Sequence, residues 1–395
     1  MNSSTNILSR EFKADPFPFY ALMRAEQPVC CVTVPGMGKA WLITRYDDVV
    51  AVLKDNRFAK NPLNASTQPW LPGFAKPLQR NMLDLDEPDH ARLRTLVHKA
   101  FTPSMVERLQ DRIQGIADHL IDAVAPTGAM DLVRAYALPL PLTVIAELLG
   151  IPGQDRDRFH RWSKALVKTP TKLNMVVALP SLMAFMRYLR RLFRQLRRAP
   201  QDGLLTALAQ VEEAGDRLSE DELLAMAFLL LIAGHETTVN LISSGTLALL
   251  QHPDELERLR ADPSLIKPAV EELLRYTNPL ETATPRYARE DTTVGDVLIP
   301  RGALVLAAVA SANRDAAQFD DPDRLDISRQ QNRHLAFGLG AHFCLGAPLA
   351  RLEGQIAINT IVRRLPHLQL AVPAESLRWR ATPVLRGLEA LPVRW

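Results

Sequence analysis

Ten positions near the C-terminus carry the most specific chemistry in the chain: Phe337-Gly338-Leu339-Gly340-Ala341-His342-Phe343-Cys344-Leu345-Gly346. The thiolate, not the thiol, is the metal ligand, and Cys344 sits where a thiolate is favoured. Gly346 and Ala347 lead into Pro348, a good first-turn residue, so Cys344 lies just before a helix N-terminus. The amides and positive dipole end of that helix stabilise a negative sulfur. Gly338 and Gly340 let the preceding backbone bend around a flat ligand, because glycine takes positive φ at little cost. On a haem iron such a thiolate donates electron density that favours O–O cleavage.

The loop fills the pattern Phe-Gly-x-Gly-x-His-x-Cys-x-Gly without a departure. It resembles the cysteine-ligand loop of the cytochromes P450, and the resemblance to soluble bacterial members runs from about Asp15 to the C-terminus. What the resemblance implies is a haem b held by Cys344, with Phe337 and Gly338 against the macrocycle. Within a long apolar helical stretch stands Ala233-Gly234-His235-Glu236-Thr237-Thr238. Gly234 costs a helix interior about 1 kcal/mol relative to alanine. The residues resemble the family's oxygen-activation motif: Gly234 opens a groove for dioxygen, Thr237 hydrogen-bonds it, and Glu236 helps to deliver protons. Glu272-Leu273-Leu274-Arg275 resembles the Glu-x-x-Arg motif, whose further arginine is matched by Arg324 in Pro322-Asp323-Arg324-Leu325. The implied role of Glu272, Arg275 and Arg324 is structural. Haem propionates need basic donors; His90 and Arg94, at i and i+4 on one helix face, join Arg286 and His342 at the matching positions.

By the same resemblance the substrate pocket draws on 69–83, 166–185, 228–239 and 280–284, with Trp70, Phe74, Met82, Met175, Ala233, Leu280 and Thr282 as contributors. These segments are largely apolar, which points to a lipophilic substrate. Arg187, Arg190, Arg191, Arg194, Arg197 and Arg198 recur at helical three-four spacing, with Leu189, Leu192, Phe193 and Leu196 on another face. Such a face is either solvated or a dock for an anionic body: an acyl or peptidyl carrier protein, an acidic ligand or a membrane surface.

The elements that must position these groups are mostly helices. Ser219-Glu220-Asp221-Glu222 is a capping box, and the helix it opens runs to His252, before Pro253. At 1.5 Å per residue that is roughly 50 Å. A second helix opens near Pro268 and stops before Pro279, and a last one follows Cys344 and ends before Pro366. Alternation near Lys39–Thr44 predicts a strand, and Thr293–Ala312, with Pro300-Arg301-Gly302, reads as strand, turn, strand. The expected fold class is mainly α with a smaller β region: the cytochrome P450 fold, with its long central helix over a haem.

Bulk composition narrows the partners. The 395 residues show no linker or repeat, which predicts one domain over residues 1–395. With 47 basic residues against 44 acidic and a net charge of +3, nucleic acid is not the main partner. Cys30, Cys31 and Cys344 make no disulfide framework. The first fifteen residues lack a signal-peptide core, and the apolar run Leu223–Ala233 is too short to span a membrane. A cytoplasmic monomer is expected.

The reading is a monooxygenase that inserts one atom of dioxygen into a lipophilic molecule by hydroxylation or epoxidation, a polyketide, terpenoid, steroid or fatty acid being the substrate classes. The resemblance implies electrons from NAD(P)H through a separate ferredoxin reductase and ferredoxin, docking near Lys99, Arg92 and Arg351. Two other readings stay open: a peroxide-driven haem-thiolate enzyme, and a non-catalytic haem-binding sensor or recruitment protein.

Overall fold

The computed structural model describes residues 6–65, 73–156, 158–159, 161–162, 172–213 and 215–395, with side chains described except at 74, 75, 172–178 and 213. The helices that matter here are α1 (Asp89–Ala100), α2 (Pro139–Leu149), α3 (Lys172–Arg198), α4 (Glu220–Gln251), α5 (Ile266–Thr277) and α6 (Ala347–Arg364). The main sheet comprises β1 (Val29–Val34), β2 (Gly38–Ile43), β3 (Phe58–Ala59), β4 (Arg286–Ala288) and β5 (Leu304–Ala307). Helix dominates, as the sequence predicts. By its internal contacts the chain divides into two compact units, one of residues 1–68, 113–139 and 237–395, the other of 69–112 and 140–236.

In the first unit the strands order β1-β2-β5-β4-β3. β2 pairs antiparallel with β1 and parallel with β5, and β4 pairs antiparallel with both β5 and β3. The strand expected at Lys39–Thr44 is β2. Thr292–Val294 and Val297–Ile299 form their own hairpin, and only β5 joins the main sheet. Strand character ends at Ala307, because Val309–Ala312 turns helical and is fully buried; the expected strand to Ala312 is too long by that turn. The C-terminal part of α4 packs on α5 and α6 through two glycines. A Cβ at Gly354 would meet Leu241 Cδ2 at 2.7 Å, and one at Gly245 would meet Ile358 and Leu273 Cδ1 at 3.3 Å.

In the second unit the α4 start is the capping box: Ser219 N–H donates to Glu222 Oε2 at 2.8 Å, and Glu222 N–H to Ser219 Oγ at 3.3 Å. Arg92 of α1 pairs with Asp216 and Glu222, binding α1 to that corner. On α3, Leu189, Leu192, Phe193 and Leu196 are buried, each contributing about 1.5–3 kcal/mol. The opposite face leaves Arg187, Arg191, Arg194, Arg197 and Arg198 exposed. By length and composition α4 carries a stretch apolar enough to cross a membrane, longer than the run Leu223–Ala233 suggested, and most of that stretch is buried inside the protein.

The firmest polar construction lies at Glu272 and Arg275, both with 0% exposure. Arg275 uses all five of its N–H groups. Nε donates to Glu272 Oε2 at 2.8 Å and Nη2 to Glu272 Oε1 at 2.8 Å. The remaining donors reach the carbonyls of Asn313 (2.9 Å), Pro322 (2.7 Å) and Arg324 (3.1 Å). Arg324 therefore contributes its backbone, while its side chain is exposed. The further arginine is Arg329, whose Nε donates to both Glu272 oxygens at 3.2 Å. This corrects the assignment of Arg324. The loop turns at Asp321, with φ of 44°, so that 322 and 324 offer carbonyls inward and Arg329 offers its guanidinium.

Arg275→Lys keeps the charge but loses the planar fork and two of its five donors, so Glu272 and the three carbonyls cannot all keep their partners. Breaking a buried pair costs about 3–5 kcal/mol. The variant is expected to lose that much in denaturant unfolding and to accumulate poorly as folded protein; an unfolding curve unchanged from wild type would refute the role.

Candidate active site

Geometry at the cysteine loop follows from its two glycines. Gly338 and Gly340 adopt φ of 69° and 76°. The loop closes on itself: Gly338 N–H donates to Leu335 O (2.9 Å), Phe343 N–H to Gly340 O (3.0 Å) and Cys344 N–H to Phe337 O (2.9 Å). Gly340 also lies against the end of another helix, since a Cβ there would meet Leu53 O at 3.0 Å. Gly346 caps α6, with Pro348 in its first turn, so Cys344 stands before a helix N-terminus as expected. Cys344 and the neighbouring Phe343 are exposed, whereas Phe337 is buried. An exposed thiol beside an exposed phenyl ring, on a loop held open by left-handed glycines, fits a flat apolar macrocycle whose metal accepts sulfur.

The four basic residues fall two to each unit. In the first, Arg286 is buried on β4 and donates to Phe58 O and Leu53 O, both at 3.4 Å, and His342 is half-buried in the loop. Lys60, which the sequence reading did not single out, is buried beside them and donates to Thr284 Oγ1 (2.5 Å) and Pro285 O (3.0 Å). In the second, His90 and Arg94 share one face of α1. His90 Nδ1 donates to Glu87 Oε1 at 2.9 Å.

α4 runs unbroken through its weak motif. The missing side chain of Gly234 faces α2, where a Cβ would meet Ile145 Cδ1 at 3.0 Å. The space is taken up by that helix rather than standing open as the expected groove. Ala233 is exposed, with Phe228, Leu229 and Ile232 partly so, giving the middle of a buried helix an accessible apolar face. Thr237, four residues after Ala233, is half-buried and one helical turn along that face. Glu236 is buried, with its Oε1 3.7 Å from His235 Nε2. His235 Nδ1 donates to Leu231 O at 2.7 Å, which fixes its ring.

Of the expected pocket residues, Trp70 and the side chains of Phe74 and Met175 lie outside the described residues. Met82 is half-buried, its N–H 3.5 Å from Met226 Sδ. Leu280 packs partly buried against the main sheet's core. Thr282 is buried, and its hydroxyl donates to Pro383 O at 3.0 Å. The segment is pinned next door by Glu281, which takes Lys13 Nζ (2.7 Å) and Tyr20 Oη (2.9 Å). Two cations expected at the electron-donor face are engaged within the protein, Arg92 with Asp216 and Glu222, and Arg351 with Glu271.

A family model, "Cytochrome P450", matches residues 181–375. The "Cytochrome P450 monooxygenase PikC" of Streptomyces venezuelae is 46% identical over 391 residues, spanning 98% of this chain and 93% of that protein. The solved polyketide-synthase cytochrome P450 PksS of Bacillus subtilis 168 superposes with a TM-score of 0.93 at 44% identity, covering 99% of both chains. P450BioI, solved with an acyl carrier protein ligated to hexadec-9Z-enoic acid, superposes at 0.89 with 39% identity, covering 98% of this chain and 99% of that one. The chain belongs to the cytochrome P450 family. It is a haem-thiolate monooxygenase, an oxidoreductase that uses dioxygen.

Within this P450 one buried acid escaped the sequence reading. Glu353 of α6 is 1% exposed and bonds Thr238, the neighbour of Thr237. Burial raises its carboxyl to about 8, against a smaller lowering by that hydrogen bond. Only the acid's place at the glycine-lined crossing of α4 and α6 reveals this; its i+9 position from Cys344 does not.

A carboxyl raised in the fold binds its proton more tightly there than in the unfolded chain. Its contribution is therefore complete below the unfolded value near 4.5 and is lost as pH rises through about 8. Glu353→Gln keeps a neutral hydrogen-bonding group. The wild type should lose on the order of a few kcal/mol relative to that variant between pH 5 and pH 8.5, read as diverging thermal midpoints; parallel curves would refute a neutral Glu353.

Proposed function

We propose that this P450 hydroxylates or epoxidises a lipophilic polyketide- or fatty-acyl-like molecule in the cytoplasm, with electrons from NAD(P)H through a separate ferredoxin reductase and ferredoxin. The observation that carries the substrate class is the accessible apolar face of α4 at Phe228, Ile232 and Ala233, which ends at Thr237. An apolar wall with one alcohol at its edge binds by burying hydrocarbon and leaves a single donor for the reacting end. The resemblance to PksS and PikC supports the same class.

Cys344 is the residue that would hold the haem iron, and Arg286, His342, His90 and Arg94 are those that would take the propionates. With Nδ1 already donating to Glu87, His90 offers a second N–H only as imidazolium. Haem, when bound, supplies the reducible iron at which dioxygen is split. The net reaction consumes two electrons and two protons: one oxygen atom enters a C–H bond and the other leaves as water. This chain must therefore bring two protons to a site that excludes bulk water. The Thr237 hydroxyl donates to dioxygen and Glu236 replaces the proton, its carboxyl being buried and held beside the fixed His235 ring.

Thr237→Ala should leave haem loading and substrate binding nearly intact, while product per NAD(P)H falls several-fold and hydrogen peroxide rises. Cys344→His should abolish the thiolate-type carbon monoxide difference spectrum and turnover with a surrogate ferredoxin. Full coupling in the first variant would overturn the proton assignment, and a normal spectrum in the second the ligand.

The arginine face of α3 suits substrate delivery on an acyl or peptidyl carrier protein, as the likeness to P450BioI supports. Arg187, Arg191, Arg194 and Arg198 fall at i, i+4, i+7 and i+11, about 16 Å of one face, and Arg190 is drawn aside towards Glu220 and Asp221. Leu189, Leu192, Phe193 and Leu196 are buried away from these arginines. Charge reversal at Arg187, Arg194 and Arg198 should weaken binding of hexadecenoyl carrier protein about tenfold or more at low salt, with the difference closing at high salt. Binding of free hexadecenoic acid should not change. Unaltered carrier affinity would return these arginines to solvent.

A further inference from the structure

Glu271 and Glu272 are adjacent, yet they hold different things. Glu272 holds the 313–332 loop. Glu271 holds the two sides of the cysteine loop itself. Arg351, in the second turn of α6, grips Glu271 as a fork, Nε to Oε1 at 2.7 Å and Nη2 to Oε2 at 2.8 Å. His334, just ahead of the loop, sets Nε2 3.1 Å from Glu271 Oε2. The Ala336 N–H lies 3.2 Å from His334 Nδ1, so both ring nitrogens are engaged. Burial alone would raise the Glu271 carboxyl, but the bonds from His334 and Arg351 outweigh it and bring it down to about 2.

All of this surrounds one ring. The Arg351 guanidinium carbon stands 4.5 Å from the Phe337 centroid, and His334 and Phe343 meet the same ring at 5.9 and 6.3 Å, tilted by 50° and 61°. A cation over an aromatic face is attracted by the ring quadrupole. The carbonyl of Phe337 takes the N–H of Cys344 at 2.9 Å. Phe337 thus touches the Glu271–Arg351 pair through Arg351 and is bonded, through its own backbone, to the residue assigned as iron ligand. Arg351, expected at the ferredoxin dock, spends its fork on Glu271 while its side chain remains 34% exposed.

We propose that Glu271 and Arg351 are positioning residues that balance charge over Phe337 and so set the reduction potential of a haem carried by Cys344. The proposal rests on the assignment of Cys344 as ligand. Reduction of the iron adds an electron, which nearby positive charge favours and negative charge opposes. Removing one partner leaves the other uncompensated, so the two single variants must move the potential in opposite directions. A loosened loop would move both the same way.

The test measures the ferric/ferrous midpoint potential of the purified holoenzyme by spectroelectrochemical titration. Glu271→Gln, which leaves Arg351 cationic, should shift it positive; Arg351→Gln, which leaves Glu271 anionic, should shift it negative. The double variant should fall between the two. Arg351→Lys, which keeps the cation without the fork, should return the potential towards wild type. The carbon monoxide spectrum must stay thiolate-type in each variant, and the unfolding midpoint of the haem-free protein reports the fold separately. Shifts of one sign, or no shift in either single variant with that spectrum intact, would overturn the proposal. A wild type without a thiolate-type spectrum would instead overturn the ligand assignment beneath it.

Discussion

A guanidinium with no exposure to water governs this structure. Taking an ion into the interior costs several kcal/mol, recovered only with good geometry and with every remaining donor satisfied. Arg275 meets that condition with five N–H groups and five acceptors, three of them main-chain carbonyls from Asn313, Pro322 and Arg324. The loop from 313 to 332 is shaped by that demand. A neighbouring chain of amides carries the constraint onward. Asn278, in the left-handed conformation that ends α5, accepts from Asn313 Nδ2 at 2.7 Å, and Asn313 Oδ1 accepts the Leu335 N–H at 2.7 Å. Leu335 then closes the first turn of the cysteine loop by accepting from Gly338. The reactive thiol is aimed by a buried charge it never touches.

The long helix solves a different problem. It carries polar groups through a dry interior, and three of them bond to their own helix. Ser243 and Thr246 donate to the carbonyls four residues back at 2.7 Å, and His235 does the same. Such back-bonding slightly weakens a helix, and the tight crossings at Gly245 and Gly354 offset it by burying apolar side chains at close range. Thr238 instead reaches across to Glu353, and Asn240 Nδ2 donates to Pro279 O at 3.4 Å. That puts a buried acid behind Thr238, next along the helix from Glu236 and Thr237, the residues proposed to deliver protons.

Legibility in the sequence followed the kind of interaction. The cysteine loop was readable because its requirements are local: two glycines for positive φ, a cysteine, a helix start. The capping box of α4 and the extents of α4, α5 and α6 were readable for the same reason. Arg275 was readable as a residue type, but its partners were not. Three are carbonyls, which every residue owns, so the sequence could not say that Arg324 gives its backbone and Arg329 its side chain. Gly234 could be recognised as a weak point, yet the neighbour that fills its space, Ile145, is set by tertiary packing. Thr282 gave no sign that its hydroxyl is bonded to Pro383 O. Glu353 gave no signal, since an acid at a helical position ordinarily faces water.

The five-fold saturation of Arg275 also bears on how the molecule comes together. Its acceptors come from α5 and from three places along the following loop, and no subset of them makes the burial favourable. Half-built forms are therefore penalised, and the interlock closes in one step or not at all. Because the Asn313 amide belongs to the same closure, the cysteine loop acquires its shape as the core sets, from bonds internal to the polypeptide.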